Sequence, residues 1–182
     1  MRKIFYLILF SASVFFLSAC TGPGEQAYNQ GVKAFNEGNT EQARSSFLQA
    51  LEENPQLAEA YLGLGRIDIA LADYASARRN TLKALHLLQE HKKTIKSGST
   101  WKLQAALACN NMASIAFKQA LQLKESEADA ATEAGSGEDS QSSAGADALI
   151  DDAEKWLEQA LELDPSNKMV LKNRSFIQKW RE

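Results

Sequence analysis

The sequence predicts an all-α fold, an α-solenoid of about three helix-turn-helix units closed by a C-terminal capping helix. Two observations carry this. From residue 24 onward β-branched residues are few, no apolar run alternates with period two, and the helix formers Ala, Leu, Gln and Glu recur throughout. The chain also repeats itself: Gly31, Ala43, Ala50 and Leu51 return 34 residues later as Gly65, Ala77, Ala84 and Leu85. A unit of that length cannot bury its apolar face alone, so neighbouring copies must stack.

Ahead of the repeats the chain opens with Arg2 and Lys3, is apolar over residues 4–17, and then reads Leu17-Ser18-Ala19-Cys20. A charged start, an apolar stretch and a small-residue cleavage site make an export signal. The apolar stretch has 14 residues interrupted by Ser11 and Ser13, against the roughly 20 that a bilayer-spanning helix needs. Leu17, Ser18, Ala19 and Cys20 resemble the lipobox of bacterial lipoproteins. That resemblance implies that residues 1–19 are removed as a signal peptide and that the Cys20 thiol carries a diacylglycerol. Palmitate is then part of the anchor, and residues 20–23 are a lipidated N-terminus with a short tether. Thr21 stands where an Asp commonly retains such proteins in the inner membrane, so the expected address is the outer membrane, facing the periplasm.

Removing residues 1–19 leaves 163 of the 182 and takes away two positive charges, moving the formal charge from −3 to −5. No basic block remains, which makes nucleic acid a poor partner. With Cys20 lipidated, Cys109 is the remaining thiol and has no intramolecular disulfide partner.

The first repeat, residues 24–57, carries Gly31, Phe35, Ala43, Phe47, Ala50 and Pro55; the second, residues 58–93, carries Tyr61, Leu64, Gly65, Ala77 and Ala84. A third is split between residues 101–124, with Met112, Ala113 and Phe117, and residues 148–166. There Ala153 and Ala160 keep the seven-residue spacing of Ala43 and Ala50, and Pro165 follows Ala160 by five as Pro55 follows Ala50. This pattern resembles the tetratricopeptide repeat (TPR). Small residues at Gly31, Gly65 and Ala113 on the first helix, and at Ala43 and Ala77 on the second, let the helices of a unit approach closely. Residues 167–182 fit a final capping helix, in which Val170, Leu171, Arg174, Ile177 and Lys179 give one apolar face and one solvated face.

The repeat pattern is broken twice. Gln89 stands where the second repeat should have its closing proline, so that helix is expected to run on to about Lys93, before the breaker Ser97-Gly98-Ser99-Thr100. Gly65 and Ala113 are 48 residues apart rather than 34, which lengthens the hairpin and puts Trp101 near its tip. The second break is residues 125–147, with seven acidic residues, no basic ones and no large apolar one. That composition predicts a disordered insertion.

No catalytic constellation is visible. His86 and His91 are five apart, not the three or four that places two imidazoles on one helix face, so no metal site is expected. Cys109 sits beside apolar neighbours, as a small core residue does, and there is no glycine-rich phosphate loop. Apart from the lipid on Cys20, no cofactor is expected. The TPR resemblance implies a concave groove that holds a protein or peptide, lined by Tyr28, Val32 and Phe35, by Leu62, Arg66 and Ile69, and by Asn110, Ser114 and Phe117. The family's clamp for a C-terminal carboxylate is missing, because its positions hold Tyr28, Val32, Gly63, Leu107 and Asn111. The expected role is therefore a non-enzymatic, membrane-anchored scaffold or assembly factor in the bacterial envelope, of the kind that assists pilus or secretin assembly or recruits cell-wall enzymes. A second reading is a small-molecule-binding component of a transport system.

Overall fold

A computed structural model describes residues 22–92, 99–134 and 143–181. Residues 1–21 lie outside it, and with them the expected signal peptide, its Leu17, Ser18 and Ala19, and Cys20. The described residues form seven helices: α1 (Glu25–Asn36), α2 (Thr40–Glu53), α3 (Ala58–Ala70), α4 (Tyr74–Lys92), α5 (Ser99–Ala134), α6 (Ser143–Leu163) and α7 (Lys168–Arg181). No strand occurs among them. The helices pack as hairpins, α1 on α2, α3 on α4 and α5 on α6, and each hairpin stacks on the next, α7 covering the end. The additional contacts of α1 with α3 and of α3 with α5 align the first helices of successive units side by side.

Turn chemistry sets the hairpins. After α1, the Asn39 N–H donates to Ala34 O and the Gly38 N–H to Phe35 O, with Gly38 at φ 80°. This is the Schellman end of a helix, which needs a left-handed residue at Gly38. The α3 end repeats it, Asp73 N–H to Asp68 O and Ala72 N–H to Ile69 O, but here the left-handed residue is Ala72, at φ 59°. The Asp73 carboxylate then accepts the Ser76 N–H at 3.0 Å and caps α4. Asn167 does the same for α7, accepting the Val170 N–H.

Packing between units turns on small residues. The Phe47 ring lies between Gly31 and Gly63, and a Cβ on either would come within 2.6 Å of it. Gly65 faces Thr81 in the same way, with 2.7 Å from a Cβ to Oγ1. Ala43, Ala77, Ala84, Ala153 and Ala160 are fully buried where helices cross.

One expectation is corrected. Within residues 125–147, helix continues from Lys124 to Ala134 and resumes at Ser143, leaving 135–142 outside the described residues. Ala fills four of the eight positions 127–134 and extends a helix that is already nucleated, which costs far less than starting one. No large apolar residue is needed, because Ala146 is fully buried against α5, and Lys124 pairs with Asp147 at 3.5 Å. The split third unit is accordingly α5 and α6, and α5 is 36 residues, about 54 Å long. Trp101, expected near the end of the lengthened hairpin, is partly buried against the cluster of Leu62, Ala84 and Leu88, with the Lys92 ammonium 4.8 Å above its ring.

Candidate functional site

Because the first helices of the units lie side by side, their inward faces share one concave surface. A cavity of about 580 Å³ opens there, lined from α1, α3, α5 and α7 and by Phe47 of α2. Of the nine positions expected from sequence, eight line it: Tyr28, Val32, Phe35, Leu62, Arg66, Ile69, Asn110 and Ser114. Phe117 does not. It is buried, and borders an adjoining recess of about 260 Å³ with Phe176 and Ile177. Phe117 is turned toward α7, where its ring meets Phe176 at 5.7 Å and Trp180 at 5.5 Å, both edge-on. The cavity and the recess share Ser114, Lys118 and Asn173, so they form one continuous groove.

At the α1 end the lining is aromatic. Tyr28 and Phe47 are 5.8 Å apart, and the Arg66 guanidinium lies 4.5 Å above the Phe35 ring. Burial, and after it the charge of Glu59, push the Tyr28 phenol above its ordinary value, with Arg66 opposing. The phenol is therefore a neutral hydrogen-bonding group there. Glu59 itself accepts a hydrogen bond from Gln104 Nε2 at 2.5 Å. Toward α7 the lining becomes amide-rich. Asn110 is buried, takes the Ser114 hydroxyl on its carbonyl at 2.9 Å, and accepts from Asn173 Nδ2 at 2.8 Å. This bond ties the capping helix to the groove floor. Leu103 and Met169, each nearly half exposed, form an apolar rim.

Sequence reasoning missed the groove residues of α7. Met169 and Asn173 stand four and eight residues after Pro165, as Glu59 and Gly63 stand four and eight after Pro55. Counting from the proline would have treated α7 as a fourth inner helix. It also passed over Glu59, Gln104 and Lys118, which lie one turn from residues it named.

Cys109 is buried in the core between α5 and α6, and burial pushes its thiol up to about 11. A thiol in that state is a poor nucleophile at neutral pH. Among the described residues no group of three or more His, Cys, Asp or Glu side chains gathers where a metal could sit, and no helix is long and apolar enough to cross a membrane.

Residues 27–57 match the family profile of the tetratricopeptide repeat. A crystal structure of a TPR repeats protein from Bacteroides fragilis is similar at 14% identity and a TM-score of 0.38, covering 88% of this chain and 100% of that one. The search of curated proteins gave no match.

Proposed function

We propose, for a chain that carries the tetratricopeptide repeat of protein interaction scaffolds, a lipoprotein that docks a protein or peptide in the groove between α1, α3, α5 and α7. The observation that supports this is the convergence of side chains from all four inner helices on one half-open, mainly apolar surface with a few polar points. Such a surface takes an extended segment or a helix by its side chains.

The Leu17-Ser18-Ala19-Cys20 motif supports the address. Lipidated on Cys20, the protein is anchored at the periplasmic face of the outer membrane, where it assists assembly or recruits wall enzymes. Two or more acyl chains make such an anchor lasting. α1 begins at Glu25, five residues after Cys20, so the groove works close to the membrane surface.

Crosslinking in intact membranes followed by affinity capture tests the docking. Tyr28→Ala with Arg66→Ala should abolish recovery of a specific partner. Recovery unchanged by these groove substitutions would sink the proposal. A second reading, a small-molecule carrier for a transport system, is favoured by the cavity volume, which falls in the range of small-ligand sites. A ligand-dependent rise in melting temperature without any protein partner would favour it.

A further inference from the structure

We infer that the groove's occupant is an acidic peptide segment whose carboxylates pair with Arg66 and Lys118; this rests on the docking role proposed above and adds the partner's chemistry. The chain as a whole is acidic, with 23 Asp and Glu against 20 Lys and Arg. Inside the groove the balance inverts. Three charged side chains line the cavity and recess: Glu59, Arg66 and Lys118.

Glu59 is already engaged by Gln104. Among the described residues neither Arg66 nor Lys118 has a carboxylate within ion-pair distance. Arg66 is also held in place. Its guanidinium stacks on the Phe35 ring, a posture that leaves its edge donors available for a carboxylate fork. Lys118 sits where the cavity meets the recess, so the two cations address different stretches of one extended ligand.

The rest of the lining suits a peptide. Side-chain amides of Asn36, Gln104, Asn111 and Asn173 can serve a backbone's donors and acceptors. Leu103, Met169 and Phe176 offer exposed apolar surface between them, Phe176 being 60% exposed. A basic segment would instead meet two cations and a carboxylate already hydrogen-bonded. Like charges brought together in one groove disfavour such a segment.

The test uses the full chain in nonionic detergent and a fluorescein-labelled octapeptide alternating Glu with Leu, compared by anisotropy with versions carrying Gln or Lys in place of Glu. The Glu peptide should bind at least about tenfold more tightly than the Gln peptide, and more weakly as salt is raised. Arg66→Glu with Lys118→Glu should lose that preference and turn it toward the Lys peptide, while Arg66→Lys keeps it. Circular dichroism identifical to the parent chain confirms that the exposed substitutions leave the fold intact. Equal binding of the Glu and Gln peptides overturns the inference and leaves the docking role standing. Failure of the Glu peptide to bind also overturns it, and the membrane crosslinking experiment then decides the docking role separately.

Discussion

Arg44 on α2 reaches across to Asp68 on α3 and pairs with it at 2.5 Å, the carboxylate being fully buried and the guanidinium one-third exposed. Asn80 on α4 donates to the other carboxylate oxygen at 2.7 Å. One buried anion thus joins three consecutive helices and both of the first two repeats. Removing a single partner leaves charge without compensation, which is costlier than never having buried the pair. Arg44→Met should therefore destabilise the chain by about 2–4 kcal/mol, less than for a fully enclosed pair because water reaches the guanidinium side. Urea unfolding followed by circular dichroism measures it. A loss below about 0.5 kcal/mol would show that Asn80 and water suffice.

Ala72 offers the opposite sign. Its φ of 59° is the left-handed region, which Gly38 occupies at the matching turn of the first unit. A side chain there costs about 1–2 kcal/mol, and glycine's extra freedom in the unfolded chain returns part of that. Ala72→Gly should stabilise by about 0.5–1 kcal/mol, seen as a higher urea midpoint at unchanged slope. A lower midpoint would contradict it.

Gly63 is as constrained as any core residue, since a Cβ there would meet the Phe47 ring at 2.6 Å. Gly63→Ala should cost about 1–3 kcal/mol by overpacking. Combined with Phe47→Leu, the two losses should fall well short of their sum in a double-mutant cycle. Additive losses would mean that the ring and the glycine do not press on each other.

Asp73 makes the α4 cap sensitive to acid. Hydrogen bonds from the Ser76 hydroxyl, and then from its backbone N–H, hold the Asp73 carboxyl below the ordinary carboxylate range. With the folded value lowered, the cap's contribution is fully present above the unfolded value of about 3.9, and is lost as pH falls through the folded one. Stability of the parent chain relative to Asp73→Ala, compared by urea midpoint from neutral pH downward, should be higher at neutral pH and converge in acid. A difference constant with pH would point to packing instead of the charged cap.

Cys109 should be silent toward thiol reagents. In a Cys20→Ser chain, where it is the remaining cysteine, reaction with an aromatic disulfide at pH 8 should await unfolding, because the thiol is buried and pushed up to about 11. Fast labelling of the folded chain would show that α5 and α6 open readily at this point.

The groove positions on α1, α3 and α5 could be named in advance because the resemblance to the tetratricopeptide repeat implies which side chains of each unit's first helix face inward. Phe117 escaped that logic. The fixed pattern does not say that α7 will swing its Phe176 and Trp180 against the end of the groove. The length of α5 was illegible for a different reason: residues 125–134 carry no large apolar side chain, and large side chains are what periodicity reads. Small alanines at a close helix crossing leave a weaker trace. The Arg44–Asp68 pair, 24 residues apart, becomes visible only when two units are stacked.

Phe47 has a meaning for how such an array can grow. Its ring needs a glycine in its own unit, Gly31, and another in the following unit, Gly63. A tandem copy of residues 24–57 placed after the original would set the copy of Asn29 where Gly63 now lies, since those positions are 34 apart. The ring would have no room. The first unit is thus fitted to its present successor alone, and lengthening the protein by duplicating that unit would demand a second, simultaneous change at the seam.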